Sequence, residues 1–239
     1  MSEPLIEARD IVKYLGTGPG RVHALRGVTL SVSGGELVLL MGPSGSGKTT
    51  LLSVLGCMLT PNSGAVRIRG QATEGLRAEQ LTDLRRQHIG FIFQTYHLFP
   101  TLTAVENVRL ALEMGGERPW NAHARAATAL EAVSLGHKIN SFPRQLSSGE
   151  QQRVAIARAI VGKPAAILAD EPTAALDSAN GHAIMSVLAN VAKDAAHAVL
   201  VVTHDPRVIP FADRILHMED GQLVEKEQSA TILRLHERL

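Results

Sequence analysis

Apolar residues in this chain fall into two kinds of run. Short continuous ones, bounded by turn residues, read as buried strands: Glu36–Met41 between Gly34-Gly35 and Gly42-Pro43, then 165–169, then 198–203. Longer stretches repeat apolar residues at helical spacing. Leu51, Leu52, Leu55 and Leu59 predict a helix over 48–59, stopped by Pro61 to Gly64, and a second helix is expected over about 178–193. Strand, helix and strand in this order predict a βαβ architecture with a mostly parallel sheet covered on both faces.

The middle of the chain differs in kind. From 95 to 161 the apolar positions recur at helical spacing, with Thr103 and Glu106 placed as a capping box ahead of Val105, Val108, Leu110 and Leu112. The first 35 residues and 64–70 read instead as short strands punctuated by glycine, and Asp220-Gly221 marks a hairpin within 215–224. No repeat, low-complexity tract or flexible linker divides the chain. One unit over 1–239 is expected, with a β-rich fringe and an α/β core in 1–94 and 162–239 and a helical insertion in 95–161.

Composition narrows the function classes. The 239 residues hold 24 Lys+Arg against 23 Asp+Glu, a formal charge of +1, which lacks the footprint of a nucleic-acid-binding polycation. Aromatics are only 3%, so the core must be aliphatic. No apolar window reaches the roughly 18 residues a membrane span requires, and the acidic Met1–Asp10 stretch does not read as a signal peptide. A single cysteine, Cys57, rules out an intramolecular disulfide and reads as a small buried apolar residue in a cytoplasmic chain.

Between the first buried strand and the helix lies Gly42-Pro43-Ser44-Gly45-Ser46-Gly47-Lys48-Thr49, a match to the phosphate-loop pattern. Glycines let successive backbone N–H groups turn in around a phosphate, the following helix adds its positive N-terminal end, and Lys48 reaches the β- and γ-oxygens. Thr49 places a hydroxyl on Mg²⁺. The strand at 165–169 runs into Asp170-Glu171 at the carboxyl edge of the sheet, where α/β folds bind ligands. Asp170 suits the Mg²⁺ shell and Glu171 a general base; alone, the pair also reads as a solvated acidic strand end.

Leu146 to Arg153 (Leu-Ser-Ser-Gly-Glu-Gln-Gln-Arg) carries a second capping box, Ser147 and Glu150, opening a helix aimed at phosphate. Here the chain resembles the ATP-binding cassette family: phosphate loop, Gln94 after a strand at 91–93, this signature, Asp170-Glu171, Ala175-Leu176-Asp177 and His204 occur in the family's order over nearly the whole sequence. The resemblance implies a P-loop NTPase core with an N-terminal antiparallel β subdomain and an inserted α-helical subdomain. It implies ATP and Mg²⁺ as the bound species, with Thr50 also in the nucleotide set. Gln94 would bridge Mg²⁺ and the attacking water, and His204 would hold the γ-phosphate and Glu171. Ser147 and Gly149 would meet the ATP of a second subunit in a head-to-tail dimer, with Asp177 at that interface. Tyr14 would stack on adenine, a reading its location favours over that of a plain exposed surface tyrosine. Ser148 stands where the family usually has glycine, and we expect it to slow closure of the dimer.

By the same resemblance the chain is an ATP-hydrolysing transporter subunit of the branch that contains macrolide exporters, lipoprotein-release ATPases and DevA-type exporters. That branch implies a homodimer on the cytoplasmic face of the inner membrane, a separate transmembrane permease, a periplasmic adaptor in some members, and a hydrophobic or envelope-associated cargo. The alternative within the branch is a cell-division or signalling ATPase that transmits force without transport. Tyr96 and Phe99 follow Gln94 closely and read as a docking surface for the membrane subunit; Arg85, Arg86 and His88 read as a solvated helix face or a phosphate contact.

Overall fold

The computed structural model describes residues 4–224. The outer limits of the expected single unit, residues 1–3 and 225–239, lie outside the described residues.

Two sheets organise the chain. β1 (Pro4–Leu15) pairs antiparallel with β2 (Val22–Ser33) and with β4 (Ser63–Ile68), which β5 (Gln71–Ala72) extends, giving the order β2-β1-β4-β5. The second sheet takes β3 (Glu36–Met41), β6 (Ile89–Ile92), β7 (Ala166–Asp170), β8 (Ala198–Val202), β9 (Arg214–Glu219) and β10 (Gln222–Val224) in the order β10-β9-β3-β8-β7-β6. Its neighbours run parallel except for the β9–β10 hairpin that turns at Asp220-Gly221.

The continuous apolar runs are explained by burial on both faces. Val38, Leu40, Leu168, Leu200 and Val202 point into one core, shared with the antiparallel sheet and with α1 (Lys48–Leu55). Leu37, Leu39, Ile167, Val199 and Val201 point into the other, against α3 (Ala104–Met114), α4 (Pro119–Ala132), α5 (Ser148–Ile160) and α6 (Ser178–Ala192). The largest fully buried side chains are all Leu or Ile, as the scarcity of aromatics requires. Among the described residues, no helix is long and apolar enough to cross a membrane.

The capping boxes set the helix starts. Thr103 Oγ1 accepts from Glu106 N at 3.4 Å while Thr103 N donates to the Glu106 carboxylate at 2.8 Å, and Ser147 and Glu150 repeat the arrangement at α5. Several boundaries differ from the sequence pattern, among them β6, which runs Ile89–Ile92 rather than 91–93. α1 ends at Leu55 rather than near 59, because Gly56 closes the turn and Cys57 takes a left-handed φ of 55°. β7 begins one residue later than expected, and β8 ends at Val202. A polar helix, α2 (Ala78–His88), buries only Leu84; its Arg85 donates to Cys57 O at 2.6 Å and Arg86 pairs with Asp83, so these two cations serve local contacts.

Candidate nucleotide site

The site is assembled by strand register. Leu40, Val202 and Asp170 stand level across β3, β8 and β7, so the three strands end on one line. The segments leaving the strands therefore converge on one edge: the phosphate loop after β3, Glu171 after β7 and His204 after β8. Glu171 N donates to Val202 O at 2.9 Å and Thr203 N to Leu40 O at 3.2 Å, which ties the exits to neighbouring strands. Glu171 itself sits at φ 47°, a left-handed conformation unusual without glycine, that turns it out of the strand line.

Glycine is obligatory at two positions of the loop. A Cβ on Gly42 would lie 2.1 Å from Met218 O, and one on Gly47, at φ 103°, would lie 2.6 Å from Ala24 O. The β9–β10 turn braces the loop from behind through Gly221 N donating to Ser46 O at 3.0 Å. Lys48 folds over the loop and donates to Gly42 O at 2.8 Å and Pro43 O at 2.7 Å. Burial pushes its pKa below the ordinary lysine value, and the nearby Glu171 and Asp170 carboxylates partly oppose that.

The two carboxylates differ in surroundings. Asp170 accepts from Thr49 Oγ1 at 3.3 Å, and burial raises its pKa against the opposing effect of that hydrogen bond. Glu171 Oε1 lies 2.7 Å from His204 Nδ1, whereas Glu171 Oε2 is buried and has no hydrogen-bond partner. The Thr49 hydroxyl beside the Asp170 carboxylate is a pair of hard oxygen donors of the kind Mg²⁺ takes, few enough to leave room for phosphate and water.

Lys48, Thr49, Glu171 and His204 line a cleft of about 780 Å³ that also includes Gly42, Pro43, Ser44, Gly45, Gly47 and Thr50 of the loop region, Gln94 in the turn after β6, and His23, while Asp170 is outside the lining and joined to it through Thr49. Ser46 lies buried under the loop. Tyr14 does not line the cleft. It is the cross-strand partner of His23 and stacks on it with ring centroids 4.2 Å apart, while the Arg21 guanidinium carbon lies 3.8 Å from the Tyr14 centroid. Two groups this close cannot share one face of a ring, so both faces of Tyr14 are covered and His23 presents the stack to the cleft. Nothing in the sequence pattern singles out His23; only the β1–β2 register reveals it.

Ser147, Gly149 and Asp177 lie apart from the cleft lining. Ser147 and Ser148 are exposed at the start of α5, and Gly149 is buried against Asn180. Asp177 caps α6 by accepting from Asn180 N at 2.9 Å. The signature helix and α6 thus meet at Gly149 and Asn180, and the two serines are exposed outside the cleft lining.

Comparison with known proteins agrees with this geometry. The family model described as ABC transporter matches residues 25–174. The macrolide export ATP-binding/permease protein MacB of Shigella flexneri is 43% identical over 92% of this chain and 34% of its own length, and that of Nitrobacter winogradskyi 45% identical over 94% and 35%. The chain therefore spans about a third of the length of these curated relatives. The dimeric structure of the ATP-binding cassette MJ0796 in a post-hydrolysis state with ADP and Pi superposes with a TM-score of 0.85 at 41% identity, covering 93% of this chain and 97% of that one. A phosphate loop, a carboxylate pair and a histidine on one sheet edge, together with the family model and the relatives matched, place the chain in the ABC transporter family as an ATP-binding cassette.

Proposed function

We propose that this chain is the ATP-binding and ATP-hydrolysing subunit of an exporter, working as a homodimer that encloses two Mg-ATP between its cassettes. The observation that carries the reading is the division of the site. The phosphate loop, Glu171, His204 and Gln94 line one cleft, with Asp170 bonded to its Thr49, while Ser147 and Ser148 lie outside that lining and are exposed at the start of α5, free to meet the nucleotide of a second copy. In this reading the backbone N–H groups of 44–48 and the Lys48 ammonium bind the phosphates, and the Tyr14–His23 stack receives the base. Thr49, Asp170 and Gln94 would hold Mg²⁺, which neutralises charge on the phosphates when bound.

Glu171 orients the attacking water and accepts its proton at the unpartnered Oε2, and His204 fixes the carboxylate through Oε1. Ser147 of the partner copy supplies a further donor to the γ-phosphate, and Asp177 lies at the seam. Residues 95–161 act as the helical subdomain that swings with closure. The membrane-spanning part belongs to a permease, joined in some exporters of this branch by a periplasmic adaptor, so the cassette sits on the cytoplasmic face of the inner membrane and drives export of a hydrophobic or envelope-associated molecule. MacB-type relatives support this reading through their printed role in macrolide export.

Glu171→Gln tests it. The variant should bind ATP and dimerise while losing turnover by about a hundredfold or more; robust hydrolysis refutes the base assignment. Purification from membranes should recover a permease with the chain, and recovery of soluble partners alone overturns the exporter reading.

A further inference from the structure

Arg158 lies in the last turn of α5 and sends its guanidinium to two backbone carbonyls: Nη2 donates to Tyr96 O at 2.7 Å and Nη1 to His97 O at 2.6 Å. Both acceptors belong to non-glycine residues in the left-handed region, with φ of 57° and 47°, side by side. Such a pair persists only where its surroundings hold it. They follow Gln94 by two and three residues, and Gln94 lines the nucleotide cleft. The planar fork of an arginine presents two N–H groups in fixed geometry to two adjacent carbonyls, whereas a lysine offers one compact, rotatable ammonium on a more flexible stem. Burial disfavours the guanidinium charge, so these carbonyls take over part of its solvation.

The loop is packed as well as bonded. The His97 ring lies tilted against Phe93 with centroids 4.5 Å apart, and Phe93 stacks at 4.4 Å on Phe91, so the backbone between β6 and the left-handed pair is tied to the strand on one side and to α5 on the other. At the opposite end of α5, about 15 Å away at 1.5 Å per residue, Ser147 and Ser148 are exposed.

We propose that Arg158 is a positioning residue that holds Gln94 in the cleft by bracing Tyr96 and His97. The same helix then carries both the end offered to a second subunit and the grip on the turn that bears Gln94. Reorientation of α5 at one end is felt as displacement of Gln94 at the other. This rests on the hydrolytic reading above for its catalytic consequence, but the brace itself is measurable without it.

In the full chain, Arg158→Gln should lower kcat by about tenfold to a hundredfold while ATP affinity stays within about twofold. Adding Tyr96→Gly to that variant should restore much of kcat, because glycine adopts positive φ without a brace and the His97–Phe93 ring contact stays in place. Loss through general destabilisation would not be rescued this way. Should Arg158→Gln fail to fold, Arg158→Lys, which keeps the charge but not the fork, is expected to show the same loss and the same rescue. Amide hydrogen exchange at 95–98 should speed up in either variant. Unchanged kcat in a hydrolysing protein overturns the proposal, as does a loss that Tyr96→Gly does not restore. Unchanged exchange overturns it even if the parent chain hydrolyses nothing, an outcome that would separately sink the hydrolytic reading.

Discussion

Glu171 and His204 are joined at one carboxylate oxygen: Oε1 stands 2.7 Å from His204 Nδ1, and Oε2 is left buried and unpartnered. The histidine side chain is 71% exposed, against 15% for the glutamate, so the imidazole reaches back from the cleft to orient a group more buried than itself. His204→Ala should therefore lower kcat by about tenfold to a thousandfold and leave the melting temperature near the parent's. A change in melting temperature without a loss of turnover would make this pair structural.

Adjacent residues at the start of α5 should respond in opposite ways. A Cβ on Gly149 would lie 2.8 Å from Asn180 Oδ1, so Gly149→Ala must push α5 and α6 apart or displace the asparagine, costing about 1–3 kcal/mol of stability. Ser148 is exposed and has no such constraint. Ser148→Gly should leave stability within about 1 kcal/mol and raise turnover by easing approach of the second nucleotide. Unchanged ATP affinity and turnover would remove any role of the Ser148 side chain in closure.

Asp170 gives a pH-dependent test. Burial raises its pKa above the ordinary aspartate value. A carboxyl raised in the folded state favours folding at pH below its unfolded value and loses that contribution as pH rises through the folded value. Asp170→Asn removes the ionisation. Without nucleotide, it should melt above the parent at neutral pH, with the gap closing as pH falls toward about 4, and Mg-ATP should stabilise it less than the parent. A lower melting temperature at neutral pH would show that the charge is compensated in the fold.

The base platform can be assigned by two substitutions. Because His23 faces the cleft and Tyr14 lies behind it, His23→Ala should weaken ATP binding by roughly 1 kcal/mol of lost stacking, and Tyr14→Leu by less. The reverse order, read by nucleotide titration, would show that His23 or Arg21 leaves Tyr14 when the base binds.

Much of the fold and site is legible in the sequence because it is local. The phosphate loop, the strand β3, the Asp170-Glu171 strand end, both capping boxes and the Asp220-Gly221 hairpin are each written within a few consecutive residues. The features that escape are set by distant partners. α2 has one buried side chain and no apolar stripe to betray it. The early end of α1 depends on Cys57 adopting a left-handed conformation under Arg85. The Tyr14–His23 stack exists because two strands pair across the 16–20 turn with a register shift at Tyr14, which no spacing rule predicts.

The level ends of β3, β8 and β7 also limit how such a site can vary. Parallel strands can shift only by whole pairing steps, so the separation of Lys48, Glu171 and His204 is discrete: correct, or wrong by several ångströms. Gradual adjustment of rate is closed to the sheet. It is left to parts that can pivot, namely the start of α5 at Ser148 and the left-handed turn behind Gln94, and it is there that chains with the same catalytic edge have room to run at different speeds.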